Sequence, residues 1–331
     1  MIQQAHILGT GSSMPERILS NKDLETIVDT TDEWIVRRSG IKERRISSSE
    51  RDESTTDLAT QAALKALKMA EISPTDLNMI VVGTVTADRQ FPSTACMVQK
   101  ALHADNAFAF DVSAGCSGFL YALTMVNNAI QCGTCKTALV IGVERLSSII
   151  NWRDRGTCVL LADGAGAVVV TSNKEQGGIL SNHLMSNGKL WELLYSSDGN
   201  SYTPDILKGL DKRPFHLKMA GNRLFKRAIV CMSEIATEAL QQNGLTVNDL
   251  NLIVPHQANI RIIQALANNL HIPMEKMYTN IRRYGNTSSA TIPIALDEAN
   301  REGRLIKNTH VLLVSFGAGL TWGASILKWA I

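Results

Sequence analysis

No stretch of this chain approaches the roughly 18 consecutive apolar residues that a bilayer-spanning helix needs, so no membrane span is expected. Met1 to Ser12 carry no basic segment ahead of an apolar one, so nothing looks secretory and a cytoplasmic location is expected. Excess charge of one sign is also missing. The 33 Lys+Arg against 31 Asp+Glu leave a net +2, which argues against a general nucleic-acid binder but allows a local basic patch. Cysteine is sparse and scattered, six residues in 331, and a chain this long can build a core without a disulfide framework. Cys132 and Cys135 form a C-x-x-C, but the other two ligands of a structural zinc site are lacking and a redox motif would need a suitable fold around it. No metal site is expected.

What is present is ordinary globular composition, 45% hydrophobic and 19% charged. It is also written twice. Residues 73–82 (SPTDLNMIVV) resemble residues 246–255 (TVNDLNLIVP), pairing Asp76 with Asp249 at an offset of 173 residues. The same offset pairs Ala63 with Ala236, Leu67 with Leu240, Ala122 with Ala295 and Leu139 with Leu312. A colinear series of this kind marks two similar halves, 1–173 and 174–331. Each half shows a helix with three- and four-residue apolar spacing (about 54–71 and 222–243) and then a short buried strand (Met79–Val82, Leu252–Val254). A second helix (about 116–131, 287–302) and a continuous apolar strand (Thr137–Gly142, His310–Val314) follow. Unalternating strands are covered on both faces, so the expectation is an α/β/α/β/α layering of mainly parallel sheets.

Three segments carry chemistry. The first, Asp111-Val-Ser-Ala-Gly-Cys116-Ser-Gly, sets a cysteine among small residues where an apolar helix begins. Helix-start N–H groups favour a thiolate there and leave a backbone donor for an oxyanion; a buried structural cysteine is the alternative. In the second, Val-Pro-His256-Gln-Ala-Asn259, a strand ends and a helix is expected to open at His256, which would favour neutral imidazole. In the third, Gly285-Asn286-Thr-Ser, a turn and helix cap is the plain reading. The repeat puts Asn286 three positions before Ser289, the counterpart of Cys116, and so in the loop equivalent to the cysteine loop. A fourth stretch, Phe316-Gly-Ala318-Gly, suits either backbone donation to a reacting carbonyl or a tight turn between antiparallel strands.

Together AGCSGF, VPHQAN, GNTS and the final FGAGLTWG resemble the β-ketoacyl-[acyl-carrier-protein] synthase III family, as do Gly9-Thr-Gly-Ser and Asp32-Glu-Trp34-Ile-Val-Arg-Arg-Ser-Gly40. The resemblance spans nearly the whole chain in family order. It implies a homodimeric thiolase-fold enzyme with Cys116, His256 and Asn286 as catalytic triad and the N–H groups of Cys116 and Ala318 as oxyanion donors. The reaction implied is decarboxylative condensation of an acyl-CoA with malonyl-acyl carrier protein, without metal or other cofactor. Trp34, Arg155, Thr30 and Arg38 match the CoA adenine and phosphate site, and Gly221, Phe225 and Asn259 match the pantetheine tunnel. Phe91, Leu146 and Leu161 match the acyl pocket, Phe91 from across the dimer, and Lys226 and Arg261 match the carrier-docking surface.

Ala318 replaces a family glycine, Leu161 a bulkier phenylalanine of some relatives, and Asn268 and Asn269 replace lysines. A degradative thiolase would need a second cysteine in the last glycine-rich loop, and none follows Cys231. Elongating condensing enzymes use two histidines where this chain has His256 and Asn286. A secondary-metabolite relative with the same triad and a non-catalytic carrier-binding scaffold are the remaining alternatives. The fragment Gly9-x-Gly11 is an incomplete dinucleotide fingerprint, with Met14 and Pro15 where the third glycine and helix belong.

Overall fold

The apolar runs become strands of two main sheets with the same wiring, beside two short two-stranded sheets. A computed structural model describes residues 4–48, 51, 53–173, 177–197 and 216–331. Of the stretch 196–215, which reads in the sequence as a variable loop, only Ser196 and Ser197 fall among these. Gln4–Ser13 (β1), Met79–Gly83 (β2), Phe108–Val112 (β3), Thr137–Arg145 (β4) and Asp163–Asn173 (β5) assemble in the order β1-β5-β4-β2-β3. Gly178–Ser186 (β6), Leu250–Pro255 (β7), His310–Gly317 (β8) and Thr321–Lys328 (β9) assemble as β7-β8-β9-β6. The series β2-β4-β5-β1 and β7-β8-β9-β6 match strand for strand: the first pair is parallel and the next two antiparallel in each. The first sheet alone has a fifth, edge strand, β3; its counterpart region holds the short helix Ile281–Tyr284.

The sheets are therefore mixed rather than mainly parallel. The reason lies in the connections: only residues 318–320 separate β8 from β9, and so short a link can join antiparallel neighbours but not parallel ones.

Helices fill three layers around the sheets. Thr55–Ala70 (α1) and Thr94–Leu102 (α2) cover the outer face of the first sheet through Leu58, Ala62, Leu67 and Val98. The α1 start is held by a capping box between Ser54 and Asp57. Gly118–Gln131 (α3) and Thr291–Arg301 (α6) lie between the sheets; Phe119, Leu123, Val126, Ile292 and Leu296 share one core with Val81, Val140, Val254 and Leu313. Gly221–Gln242 (α4) and Ile260–Asn269 (α5) cover the second sheet through Met232, Ile235, Ile263 and Leu266. Fully burying one such side chain contributes about 1.5–3 kcal/mol. The 173-residue offset survives in detail: the 3-10 turns Gly115–Ser117 and Ser288–Ala290, and the first residues of α3 and α6, correspond residue for residue.

Candidate active site

The turns that precede the two central helices face one another and build the site. Cys116 lies in the 3-10 turn Gly115–Ser117, two residues before α3 starts at Gly118. Its loop meets the β8–β9 turn at backbone distance. Gly115 has φ of 53°, and a Cβ there would stand 2.7 Å from the Ala318 nitrogen; a Cβ on Gly317 would run into the Cys116 nitrogen. Only glycine permits that approach. As a result the N–H groups of Cys116 and Ala318 and the Ser288 hydroxyl face the Cys116 sulfur and each favours its thiolate against burial. The glycine-rich stretch is thus both a tight antiparallel turn and a backbone donor.

His256 follows β7 and is buried, its backbone N–H donating to Val314 O at 2.8 Å. Its Nδ1 is 2.7 Å from Thr291 Oγ1, which is also 2.9 Å from Ser288 O. While the Thr291 hydroxyl donates to Ser288 O it accepts from Nδ1–H; turned to donate to Nδ1 instead, it leaves Nε2–H free to donate into the cavity. Asn286 is pinned on both sides: its N–H donates to Leu160 O, its carbonyl accepts from Ala162 N–H, and its Oδ1 accepts from Ser288 N–H at 2.8 Å. That leaves the Asn286 amide N–H groups as donors. Gln257 braces the same loop, donating to Pro255 O and Tyr278 O and accepting from Asn280 N–H.

Cys116, His256, Asn286 and Ala318 line a single cavity of about 730 Å³. Leu146 and Leu161 also line it, together with Gly221, Phe225 and Asn259 on its approach and Trp34, Arg38 and Arg261 farther out. The Arg155 guanidinium sits 4.8 Å from the Trp34 ring centre and that of Arg38 sits 5.6 Å from it, while Arg261 sits 5.3 Å from the Phe225 ring. Thr30 is beside this mouth in sequence but does not line the cavity; its Oγ1 is buried without a hydrogen-bond partner. Asn259 has a structural duty too, capping α5 through Arg261 N–H and donating to Arg38 O at 3.0 Å. Lys226 is exposed on α4 near Arg223 and Arg227. Phe91 is 83% exposed and does not reach its own chain's cavity.

Two electrostatic expectations are corrected. Burial pushes the Cys116 thiol up to about 11, and the neighbouring Glu144 charge adds to this; the hydrogen bonds from Ser288, Cys116 N–H and Ala318 N–H only partly offset it. Helix-start placement therefore does not make the resting sulfur a thiolate. His256 is neutral, but not because it opens a helix. Its helix begins four residues later at Ile260, and burial alone brings the imidazole down to about 3.

Sequence reasoning missed Ser288, Thr291 and Glu144. The repeat held a signal for the first two, since they stand opposite Gly115 and Gly118. Glu144 is a carboxylate inside a strand otherwise buried and uncharged up to that point, and that signal was also available. Cys132 is exposed and Cys135 buried, and both are free thiols.

The comparisons agree with this geometry. Residues 110–188 match the family model described as 3-oxoacyl-[acyl-carrier-protein] synthase III, and residues 240–329 match that of its C-terminal part. The chain is 49% identical to the β-ketoacyl-[acyl-carrier-protein] synthase III of Caldanaerobacter subterraneus subsp. tengcongensis, with 98% of each chain covered. The crystal structure of the Aquifex aeolicus 3-oxoacyl-[acyl-carrier-protein] synthase III is similar at a TM-score of 0.91 and 47% identity, covering 98% of this chain and 100% of that one. A priming β-ketosynthase of a polyketide biosynthetic pathway is similar at 0.93 but 35% identical, covering 99% and 97%. This chain belongs to the 3-oxoacyl-[acyl-carrier-protein] synthase III family, the thiolase-fold condensing acyltransferases that initiate fatty-acid synthesis.

Proposed function

We propose that the chain condenses an acyl-CoA, acetyl-CoA first among them, with malonyl-acyl carrier protein, using Cys116 as nucleophile and His256 and Asn286 as donors. The observation that carries this reading is one cavity holding a sulfur, two backbone N–H groups converging on it, a neutral imidazole and a pinned amide.

In the first half, the Cys116 sulfur attacks the acyl-CoA thioester carbonyl, and the N–H groups of Cys116 and Ala318 receive the oxyanion. Collapse breaks the carbon–sulfur bond to CoA, which leaves as the thiol with the proton Cys116 gave up. In the second half, the malonyl thioester oxygen accepts from His256 Nε2–H and the Asn286 amide. Carbon dioxide departs, the resulting enolate carbon bonds to the acyl carbon, and Cys116 is released and reprotonated. A neutral His256 suits this role in the tautomer with its hydrogen on Nε2 and the Thr291 hydroxyl turned to Nδ1, because an enolate oxygen needs a donor. The two thioesters and one proton supply every atom of the balance, so we propose no cofactor.

Trp34 with Arg155 and Arg38 would hold the adenine end, with Thr30 beside it, and Gly221, Phe225 and Asn259 would line the pantetheine path. Exposed Lys226, Arg223 and Arg227 on α4, with exposed Arg261 of the cavity lining, would steer an acidic carrier protein. Leu146 and Leu161 would bound the acyl group. Exposed Phe91 and the uncovered edge strand β3, with Phe108 52% exposed, favour a homodimer in which Phe91 completes a partner's pocket. Among the described residues no helix is long and apolar enough to cross a membrane, and we propose a cytoplasmic enzyme.

The test separates the halves. Intact mass after incubation with a panel of acyl-CoAs should show one adduct on Cys116, cleared by malonyl-carrier protein with ketoacyl product. Removing a preorganised donor with His256→Ala or Asn286→Ala should leave acylation and slow decarboxylation by about 10²–10³. Absence of any Cys116 adduct would overturn the reading. Acylation by long chains alone, with no acetyl transfer, would overturn the assignment of acetyl-CoA as starter.

A further inference from the structure

The condensation leaves a buried ionisable group beside the cysteine turn without a task. Glu144, at the end of β4, has no exposure, and no cation pairs with it among the described residues. Its carboxylate accepts from Thr86 Oγ1, from Val85 N–H at 3.2 Å, from Ser289 Oγ at 3.2 Å and from Ser288 Oγ at 3.2 Å. Ser289 has a nearer acceptor in Gly83 O at 2.7 Å, so Ser288 is the hydroxyl of its turn committed to Glu144, beside Thr86 on the other carboxylate oxygen. Ser288 and Cys116 line the same cavity from the two corresponding turns, and the Ser288 hydroxyl favours the thiolate. Ser288 is held at φ of 51°, a conformation that non-glycine residues adopt rarely and at some cost. Other charges around it are engaged elsewhere: Arg145 with Asp88 at 3.8 Å, and Asp163 by Ser47 and Ser147. Cys116 is the ionisable group acting from the facing turn.

We propose that Cys116, Ser288 and Glu144 form a proton relay for the acylation half-reaction, with Glu144 the acceptor of the thiol proton and Ser288 the bridge. Before transfer the chain runs from S–H to Ser288 Oγ and from Ser288 O–H to the Glu144 carboxylate. As the sulfur attacks, its proton moves to Ser288 Oγ and the Ser288 proton moves to Glu144. Each hydrogen bond reverses, so Ser288 then donates toward the sulfur and Glu144 toward Ser288. The site holds one negative charge throughout, which avoids placing two anions side by side in a desolvated cavity. When CoA is expelled beside Cys116, the same path returns the proton to the departing sulfur, and CoA leaves as the thiol.

The energetics call for such a partner. With the thiol held near 11, only about one molecule in a thousand is thiolate at pH 8. Burial raises Glu144 to about 7, a range suited to accepting a proton from one group and returning it to another. His256, neutral and bonded to Thr291, is already assigned as the donor of the second half.

This relay rests on Cys116 being the acylated nucleophile, and the test distinguishes the two. Acylation by acetyl-CoA is followed by rapid quench and intact mass from pH 5.5 to 9.5 in the unaltered protein, Glu144→Gln and Ser288→Gly. The glycine variant removes the hydroxyl while accommodating the positive φ. The unaltered enzyme should gain rate through pH 7 and then level. Both variants should be about 10²-fold slower at pH 7.5, lack that inflection and gain rate roughly tenfold per pH unit. Malonyl decarboxylation by pre-acylated enzyme should stay within threefold. Variants that keep the rate and inflection within threefold overturn the relay, as does an equal loss in both half-reactions, which marks a structural role. No acylation of the unaltered enzyme overturns the nucleophile itself.

Discussion

Gly317→Ala should disable acyl transfer without disturbing CoA capture. A Cβ at this position would collide with the Cys116 nitrogen and stand 2.9 Å from Cys116 Cβ and 3.0 Å from its Cα. None of these atoms is the free end of a flexible side chain, so the β8 end and the cysteine turn must separate. Carbon contacts become ordinary near 3.5 Å, which requires a displacement of roughly half an ångström. That displacement falls on the two N–H groups, Cys116 and Ala318, that converge on the sulfur. Losing one aligned oxyanion donor costs about 10²–10³ in rate, or about 2.7–4 kcal/mol. Overpacking adds a stability loss of about 1–3 kcal/mol, visible as a few degrees in Tm. The assay is single-turnover acylation by acetyl-CoA read by intact mass, with CoA affinity measured separately by calorimetry. CoA affinity should hold within twofold, because Trp34 and Arg155 lie at the far end of the cavity approach. Gly188→Ala is the matched control, since a Cβ there meets nothing within 4 Å. Acylation of the Gly317→Ala protein within threefold of normal would refute the assignment of this backbone pair as the oxyanion site.

Trp34→Ala removes the ring on which Arg155 and Arg38 sit and should raise KM for acetyl-CoA about fivefold, near 1 kcal/mol, with kcat within twofold; a kcat loss instead would relocate Trp34 to the chemical step. His256 has an imidazole brought from an ordinary 6.5 to about 3 by burial, so below pH 6.5 the unfolded chain binds a proton that the folded one refuses. Its contribution is present above pH 6.5 and is lost at about 1.4 kcal/mol per unit as pH falls toward 3. The Tm deficit of His256→Gln should therefore shrink between pH 7 and 4.5; a constant deficit in thermal melts counts against a neutral buried imidazole.

Local chemistry settled much of this protein in advance. Apolar spacing marked α1 and α4, unbroken apolar runs marked β2, β4, β7 and β8, and the 173-residue repeat paired Cys116 with Ser289, whose turns correspond in the fold. Cys116, His256 and Asn286 were legible because each stands where a strand or turn gives way to a helix among small or polar residues. Sheet direction was less legible: an apolar run signals burial but not the polarity of its neighbour, which the three-residue β8–β9 link decided. Charge state was legible only for His256, whose neutral form was expected for a different reason. The sign of the Cys116 shift depends on desolvation by the opposite half of the chain and on Glu144, 28 residues away in sequence and facing it only in the folded core. The Trp34–Arg155 stack and the Ser288–Glu144 hydrogen bond are likewise long-range. Backbone preferences are carried by a few consecutive residues, whereas solvent exclusion and hydrogen-bond partners exist only once distant segments have packed.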